Sequence, residues 1–318
     1  MRALTITTAL GYRDHYPMPT PAPGEALVRV LQAGICATDM ELMQGYMGFQ
    51  GVLGHEFVGI VEDAPQAHLN GTRVVGEINA ACRTCSVCLA GRPTHCPHRT
   101  TLGIDRRDGA FADFLCLPVD NLHPLPDEIT NDQAVFTEPL AAACQILEQV
   151  PIGPTDRVLV MGDGKLGLLC AQVLHQAPCR VTVVGRHREK LQILADLGIQ
   201  TCQPPDSVAS GFDIVVEATG TPEGFALANA SVRPRGTIVL KSTHRHPTSV
   251  DMTSLVINEI TVVGSRCGPF PPALALLREQ AVDVQSLIHA RFSIEQGTEA
   301  LAHATTPGVL KVILDMST

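Results

Sequence analysis

Tryptophan is absent from the 318 residues, and only 4% are aromatic, three Tyr and nine Phe. A hydrophobic core must therefore rest on Val, Leu, Ile and Ala. Charge is sparse as well, 17% of residues against 45% hydrophobic, which is the balance of a globular chain and argues against disorder. Positive charge is in deficit. A formal net charge of -9 argues against the basic surface that nucleic-acid phosphates require, so no nucleic-acid partner is expected. A local basic pocket for a phosphorylated cofactor remains compatible with it. Nor is there a run long and apolar enough to span a bilayer. The opening MRALTITTAL lacks a basic region followed by a sustained apolar stretch. The expectation is a cytoplasmic protein with no membrane partner. A disulfide framework is also disfavoured, since the chain is long, the eleven Cys are an odd number and no secretion signal is visible.

Length suits two domains and a substantial core. Residues 1–140 are irregular, with short β-like runs at 26–31, 58–61 and 73–75 between Gly- and Pro-containing turns. From 141 to about 270 the pattern changes. Apolar strands at 157–161, 180–184, 213–217, 237–241 and 260–264 alternate with helical stretches. That alternation predicts a parallel sheet wound by right-handed crossovers, an α/β architecture. Residues 271–318 read as helix, helix and strand, a segment expected to return to the first domain. A cleft between the two domains is the natural ligand site.

Four of the Cys form a tight cluster. Cys82, Cys85, Cys88 and Cys96 give C-x2-C-x2-C-x7-C. Thiolates are soft ligands that suit a tetrahedral zinc, and short loops wrap them around one ion. An all-Cys site leaves no position for water, so it is structural. Iron–sulfur spacings differ from this one.

Three further motifs are each weak alone: Gly34-Ile35-Cys36-Ala37-Thr38-Asp39, Gly54-His55-Glu56 and Thr137-Glu138-Pro139-Leu140. With the Cys cluster, they make the chain resemble the zinc-containing medium-chain dehydrogenase/reductase superfamily over residues 24–314, its alcohol, polyol and glucose dehydrogenase branch in particular. The resemblance implies a GroES-like β-rich catalytic domain followed by a Rossmann doubly wound parallel sheet. It also implies a catalytic zinc on Cys36 and His55, making two zinc ions per chain. Either Glu56 or Glu138 is the third ligand, and the choice stays open. Thr38 would bond the substrate oxygen and pass its proton outward, and Asp39 would orient His55. Where alcohol dehydrogenases of this family place a relay His, this chain has Glu41. That residue is a candidate to contact a sugar hydroxyl or to end the proton relay, but the simpler reading is an exposed helix residue.

Val158-Leu159-Val160-Met161 leads into Gly162-Asp163-Gly164-Lys165-Leu166-Gly167, a G-x-G-x-x-G between a strand and a helix. That context is the one a dinucleotide requires, with pyrophosphate at the helix N-terminus. At the end of the next strand, Gly185 occupies the place of the acidic residue that holds a ribose 2′-hydroxyl in NAD enzymes. With no carboxylate read there and Arg186, His187 and Arg188 following, NADP is expected to be preferred, with NAD possible. By resemblance, Thr219 lies near the nicotinamide side and Lys311 approaches the pyrophosphate.

The implied activity is hydride transfer between an alcohol, polyol or sugar carbon and a nicotinamide, in a homo-oligomer, dimer or tetramer. A zinc-free reductase of the same superfamily would lack Cys36, His55 and the Cys cluster. A catalytically dormant NADPH-binding sensor would keep the fold without turnover. The remaining cysteines, Cys116, Cys144, Cys170, Cys179, Cys202 and Cys267, read as small core or surface residues. His244 and His246 read as loop residues.

Overall fold

Apolar alternation in the first part of the chain and unbroken apolar runs in the middle fold into two different kinds of sheet. The computed structural model describes residues 1–7, 9–203, 210–243 and 248–316. His244 and His246 lie outside the described residues. Two units separate: residues 1–138, 274–279 and 287–318 in one, and residues 139–273 and 280–286 in the other.

The first unit is built on a seven-stranded sheet whose central strand is Glu25–Gly34. Along it Ala26, Val28 and Val30 point inward between half-buried residues, the period-2 pattern of a sheet with one covered face. Glu56–Asp63 pairs antiparallel on one side, with Gly34 opposite Glu56. The last strand, Lys311–Asp315, pairs on the other side with Ile313 opposite Gly34. These two registers bring the ends of three strands together. Smaller sheets are formed by 3–6, 10–13 and 51–52, and by 79–80, 100–102 and 106–107. Without Trp, the core uses Phe111 and Phe136, both fully buried, among Leu, Val and Ile.

The second unit holds a six-stranded parallel sheet. Its strand order is Gln200–Cys202, Arg180–Val184, Arg157–Met161, Phe212–Glu217, Val232–Leu240, Thr261–Gly264. Val158, Leu159 and Val160, and Val215 and Val216, are buried consecutively, as strands covered on both faces must be. Helices Lys165–His175, Arg188–Asp196 and Pro222–Ser231 connect the strands.

The tail does not belong wholly to the first unit. Residues 280–286 stay with the parallel sheet because buried Gln172 spends both ends of its amide on them. Its Nε2 donates to the Asp283 carbonyl at 3.0 Å, and its Oε1 accepts from Asp283 N at 2.6 Å. A buried amide needs such partners, and Asp283 supplies them. The expected undivided return of 271–318 is corrected on this point.

Candidate active site

Cys36 ends the run from the central strand and caps the short helix Ala37–Met43. Asp39, in the first turn of that helix, accepts the Cys36 N–H at 2.8 Å and so fixes the loop that carries the thiol. Asp39 is fully buried, which excludes a solvated turn. Its other oxygen faces His55 Nδ1 at 3.4 Å, and neither atom has a well-formed hydrogen-bond partner among the described residues. With Nδ1 turned to a carboxylate, Nε2 is the nitrogen left for a cation. His55 follows Gly54, which has φ +94°; a Cβ on Gly54 would lie 2.3 Å from the Phe111 ring. The tight turn before His55 therefore depends on this glycine.

Ligand atoms of Cys36, His55 and Glu56 lie within 4.8 Å of one another. A thiol, an imidazole and a carboxylate are a donor set that fits zinc, with one position left over. Burial alone would lower the His55 pKa. Asp39 and Cys36 outweigh it and hold the imidazolium well above its ordinary value. Thr38 is half-buried, with its Oγ1 3.8 Å from Cys36 Sγ. Glu56 is 1% exposed, and Lys311, equally buried, bonds it through Nζ. The lysine also lies over the Phe136 ring, 5.4 Å from its centre. Glu138, on helix Thr137–Gln149, is half-buried and outside the three-residue group. Glu41 is half-buried, not the exposed residue of the simpler expectation.

The four cysteines also converge. Their Sγ–Sγ distances are 3.5 Å for Cys85–Cys88 and Cys96–Cys82, 3.8 Å for Cys85–Cys96 and 4.0 Å for Cys82–Cys88. A tetrahedron of sulfurs bonded to zinc has edges of about 3.8 Å. The Cys82 thiol is pushed down to about 5 by the backbone N–H groups of Thr84 and Cys85. Another backbone N–H, from His98, reaches Cys96 Sγ at 3.3 Å. The loop thus favours thiolates at Cys82 and Cys96, whereas burial and the neighbouring thiols push Cys88 up to about 12.

In the second unit, Gly162 has φ +115°, and a Cβ there would lie 2.5 Å from the Ala218 carbonyl. A Cβ on Gly167 would strike the Gly162 carbonyl, whereas one on Gly164, the cap of helix Lys165–His175, would meet open space. Lys165 and Leu166 open that helix. A bare turn with open room at a helix N-terminus is a cradle that fits a pyrophosphate. Arg186 and Arg188 are exposed, and Arg188 starts helix Arg188–Asp196.

Three side chains make contacts that the sequence reading did not place. Asp163 fills the room above Gly185, so the end of the second strand is not without a carboxylate as expected. Glu217, 1% exposed, accepts both Thr219 N and Thr219 Oγ1, at 2.7 and 2.5 Å. Thr219 is therefore anchored within its own turn. Lys311, expected at a pyrophosphate, has its ammonium on Glu56. The contacts depend on residues far apart in sequence or on a loop register, which no motif specifies.

Comparison with known proteins gives matches over both units. Residues 22–127 match the family described as alcohol dehydrogenase GroES-like domain, and residues 166–279 match that described as zinc-binding dehydrogenase. An L-threonine 3-dehydrogenase of Streptomyces coelicolor is 32% identical over 325 residues, covering 94% of each chain. A sorbitol dehydrogenase of Halalkalibacterium halodurans is 29% identical, covering 94% of this chain and 93% of the relative. Among solved structures, a zinc-binding dehydrogenase of Sinorhizobium meliloti 1021 bound to NADP superposes with a TM-score of 0.89 at 26% identity, covering 99% of this chain and 98% of its own.

Metal binding at Cys36 and His55 requires the neutral imidazole. Because Asp39 favours the imidazolium, protons compete with the metal from a higher pH than an ordinary His would allow. Zinc affinity should fall as pH drops through the raised His55 pKa, and Asp39→Asn should move that fall to lower pH. Competition with a chromophoric chelator across the pH range measures both curves; coincident curves would contradict the assignment.

Proposed function

Because the chain belongs to the zinc-containing medium-chain dehydrogenases, we propose that it moves a hydride between a secondary-alcohol carbon of a polyol or related hydroxy compound and a nicotinamide cofactor. The observation that carries this reading is the convergence of Cys36, His55 and Glu56, with Asp39 and Thr38 beside them. Zinc held there supplies Lewis acidity that favours ionisation of a hydroxyl or polarises a carbonyl. Cys36, His55 and Glu56 are its ligands, and Glu138 is left out of the set. Asp39 keeps His55 turned to the site. Thr38 Oγ1 accepts the substrate's hydroxyl proton and hands it outward. Glu41 contacts a further hydroxyl of a polyol. Sorbitol and L-threonine, which name two relatives, both carry secondary hydroxyls.

Cys82, Cys85, Cys88 and Cys96 hold a second, structural zinc. The cofactor lies along Gly162, Gly164, Lys165, Leu166 and Gly167, with NADP preferred through Arg186, whose planar fork suits a 2′-phosphate. His187, Arg188 and Thr219 flank the same ligand. The cytoplasm remains the proposed location; no helix among the described residues is long and apolar enough to cross a membrane.

A homo-oligomer is proposed as well. Thr261–Gly264 is the end strand of the parallel sheet, and Met252, Val256 and Ile257 on the helix before it are 63, 71 and 73% exposed. An open edge beside exposed apolar side chains suits a two-fold contact with a second copy.

Zinc content by mass spectrometry should be about two per chain, falling to about one in Cys36→Ser with loss of turnover. One zinc per chain in wild type, retained in the variant, would overturn the mechanism. Arg186→Ala should weaken NADPH by about tenfold or more while sparing NADH; equal loss of both would remove Arg186 from cofactor choice. Sedimentation of Ile257→Glu should show smaller particles than wild type if this edge joins the copies.

A further inference from the structure

Dinucleotide folds of this kind read the adenosine ribose with a carboxylate at the end of the second strand. Here that position is Gly185, at the end of Arg180–Val184. A Cβ on Gly185 would lie 2.6 Å from both the Cβ and the Oδ2 of Asp163. The volume that an acidic side chain would occupy is thus already filled by an acidic side chain, delivered from the middle of Gly162-Asp163-Gly164. The delivery is rigid. Gly162 N donates to the Val184 carbonyl at 2.8 Å, tying the glycine turn to the end of the second strand. Asp163 Oδ2 accepts His187 N at 2.6 Å, and His187 Nδ1 stands 3.0 Å from the same oxygen.

Burial pushes the Asp163 carboxyl up, but the two His187 bonds and the charge of Lys190 outweigh it and keep it below its ordinary value. It is ionised, so His187 Nδ1 carries the proton in this contact. The His187 side chain is 46% exposed, whereas the Asp163 side chain beneath it is 10% exposed. Arg186, the next residue after the glycine, is exposed.

We propose that Asp163 is the ribose-reading carboxylate of this chain and a determinant of cofactor choice that opposes Arg186. With an unphosphorylated ribose, the His187 ring gives way and Asp163 accepts the ribose hydroxyls. With a 2′-phosphate, Asp163 repels and Arg186 attracts, and His187 held on Asp163 offsets part of the repulsion. Both dinucleotides bind, and the NADP preference proposed above is held small. Gly185 is required because any side chain there would displace Asp163.

The inference rests on the nicotinamide-cofactor reading, and the test separates the two. Dissociation constants for NADH and NADPH are measured by nucleotide fluorescence on the zinc-loaded protein, without turnover. Asp163→Asn keeps an oxygen to accept His187 N and removes the charge. It should shift the preference about tenfold towards NADPH. His187→Ala, at an exposed side chain, uncovers the carboxylate and should shift it the opposite way. A purely structural role would weaken both nucleotides in proportion and leave the ratio unmoved. An unchanged ratio in both variants overturns the inference, and if Asp163→Asn does not fold, the His187→Ala ratio decides alone. Wild type that binds both nucleotides but oxidises no alcohol would sink the dehydrogenase reading and leave this one standing. Binding of neither nucleotide would sink both.

Discussion

The buried pair of Glu56 and Lys311 sets the geometry on which the first unit depends. Three adjacent strands meet there, with Gly34 in the middle opposite both Glu56 and Ile313. Lys311 reaches Glu56 across the central strand only because Gly34 has no side chain; a Cβ on it would sit 2.5 Å from Glu56 Oε2. The contact joins residues 255 apart in sequence. Removing one partner of such a pair leaves a buried charge unpaired, at a cost of about 3–5 kcal/mol, so the last strand and the His55-Glu56 strand are held as one piece. Cys36 follows Gly34, the last residue of the central strand, by two residues. The thiol, the imidazole and the carboxylate are thus placed by one sheet, and the precision of the site comes from strand register.

Charge explains why that arrangement invites a divalent cation. With Cys36 deprotonated, the buried groups are one thiolate and two carboxylates, Glu56 and Asp39, against the single ammonium of Lys311. Two negative charges remain uncompensated, and burial makes that expensive. A proton on His55 offsets one of them, which is the physical content of its raised pKa. A doubly charged ion offsets both and satisfies the sulfur and the imidazole together. Lys311 has a second consequence. It holds one oxygen of Glu56, so a metal held there would meet a carboxylate whose charge is already shared, and the Cys36 thiolate would be its dominant anionic donor.

Much of this was legible in the sequence. The parallel sheet showed itself because strands buried on both faces are written as unbroken Val and Leu, as in Arg157–Met161. The four cysteines and the glycine turn were legible because their chemistry is local. What was not legible was made by pairing across distance. Strand Ile288–Ser293 alternates half-buried and exposed residues and carries no apolar run, so only its pairing with Lys311–Asp315 defines it. Gln172 looks like any helix glutamine until Asp283 folds onto it. The family resemblance puts Lys311 near a pyrophosphate, and its own segment does not reveal which strand lies two places away.

Asp163 shows the same limit in sharper form. Reading position 185 alone, glycine followed by arginine signals room for a phosphate. The structure shows that the room is taken. A carboxylate from the neighbouring turn stands where a side chain on residue 185 would stand, since the two strand ends are locked by the Gly162–Val184 hydrogen bond. The field that a ribose meets depends on where charge is, and not on which residue supplies it. On this proposal Arg186 and Asp163 bear on the same ribose with opposite sign. Their difference, trimmed by His187, sets the selectivity, so a pocket read from its cation alone overstates its preference for a phosphorylated cofactor.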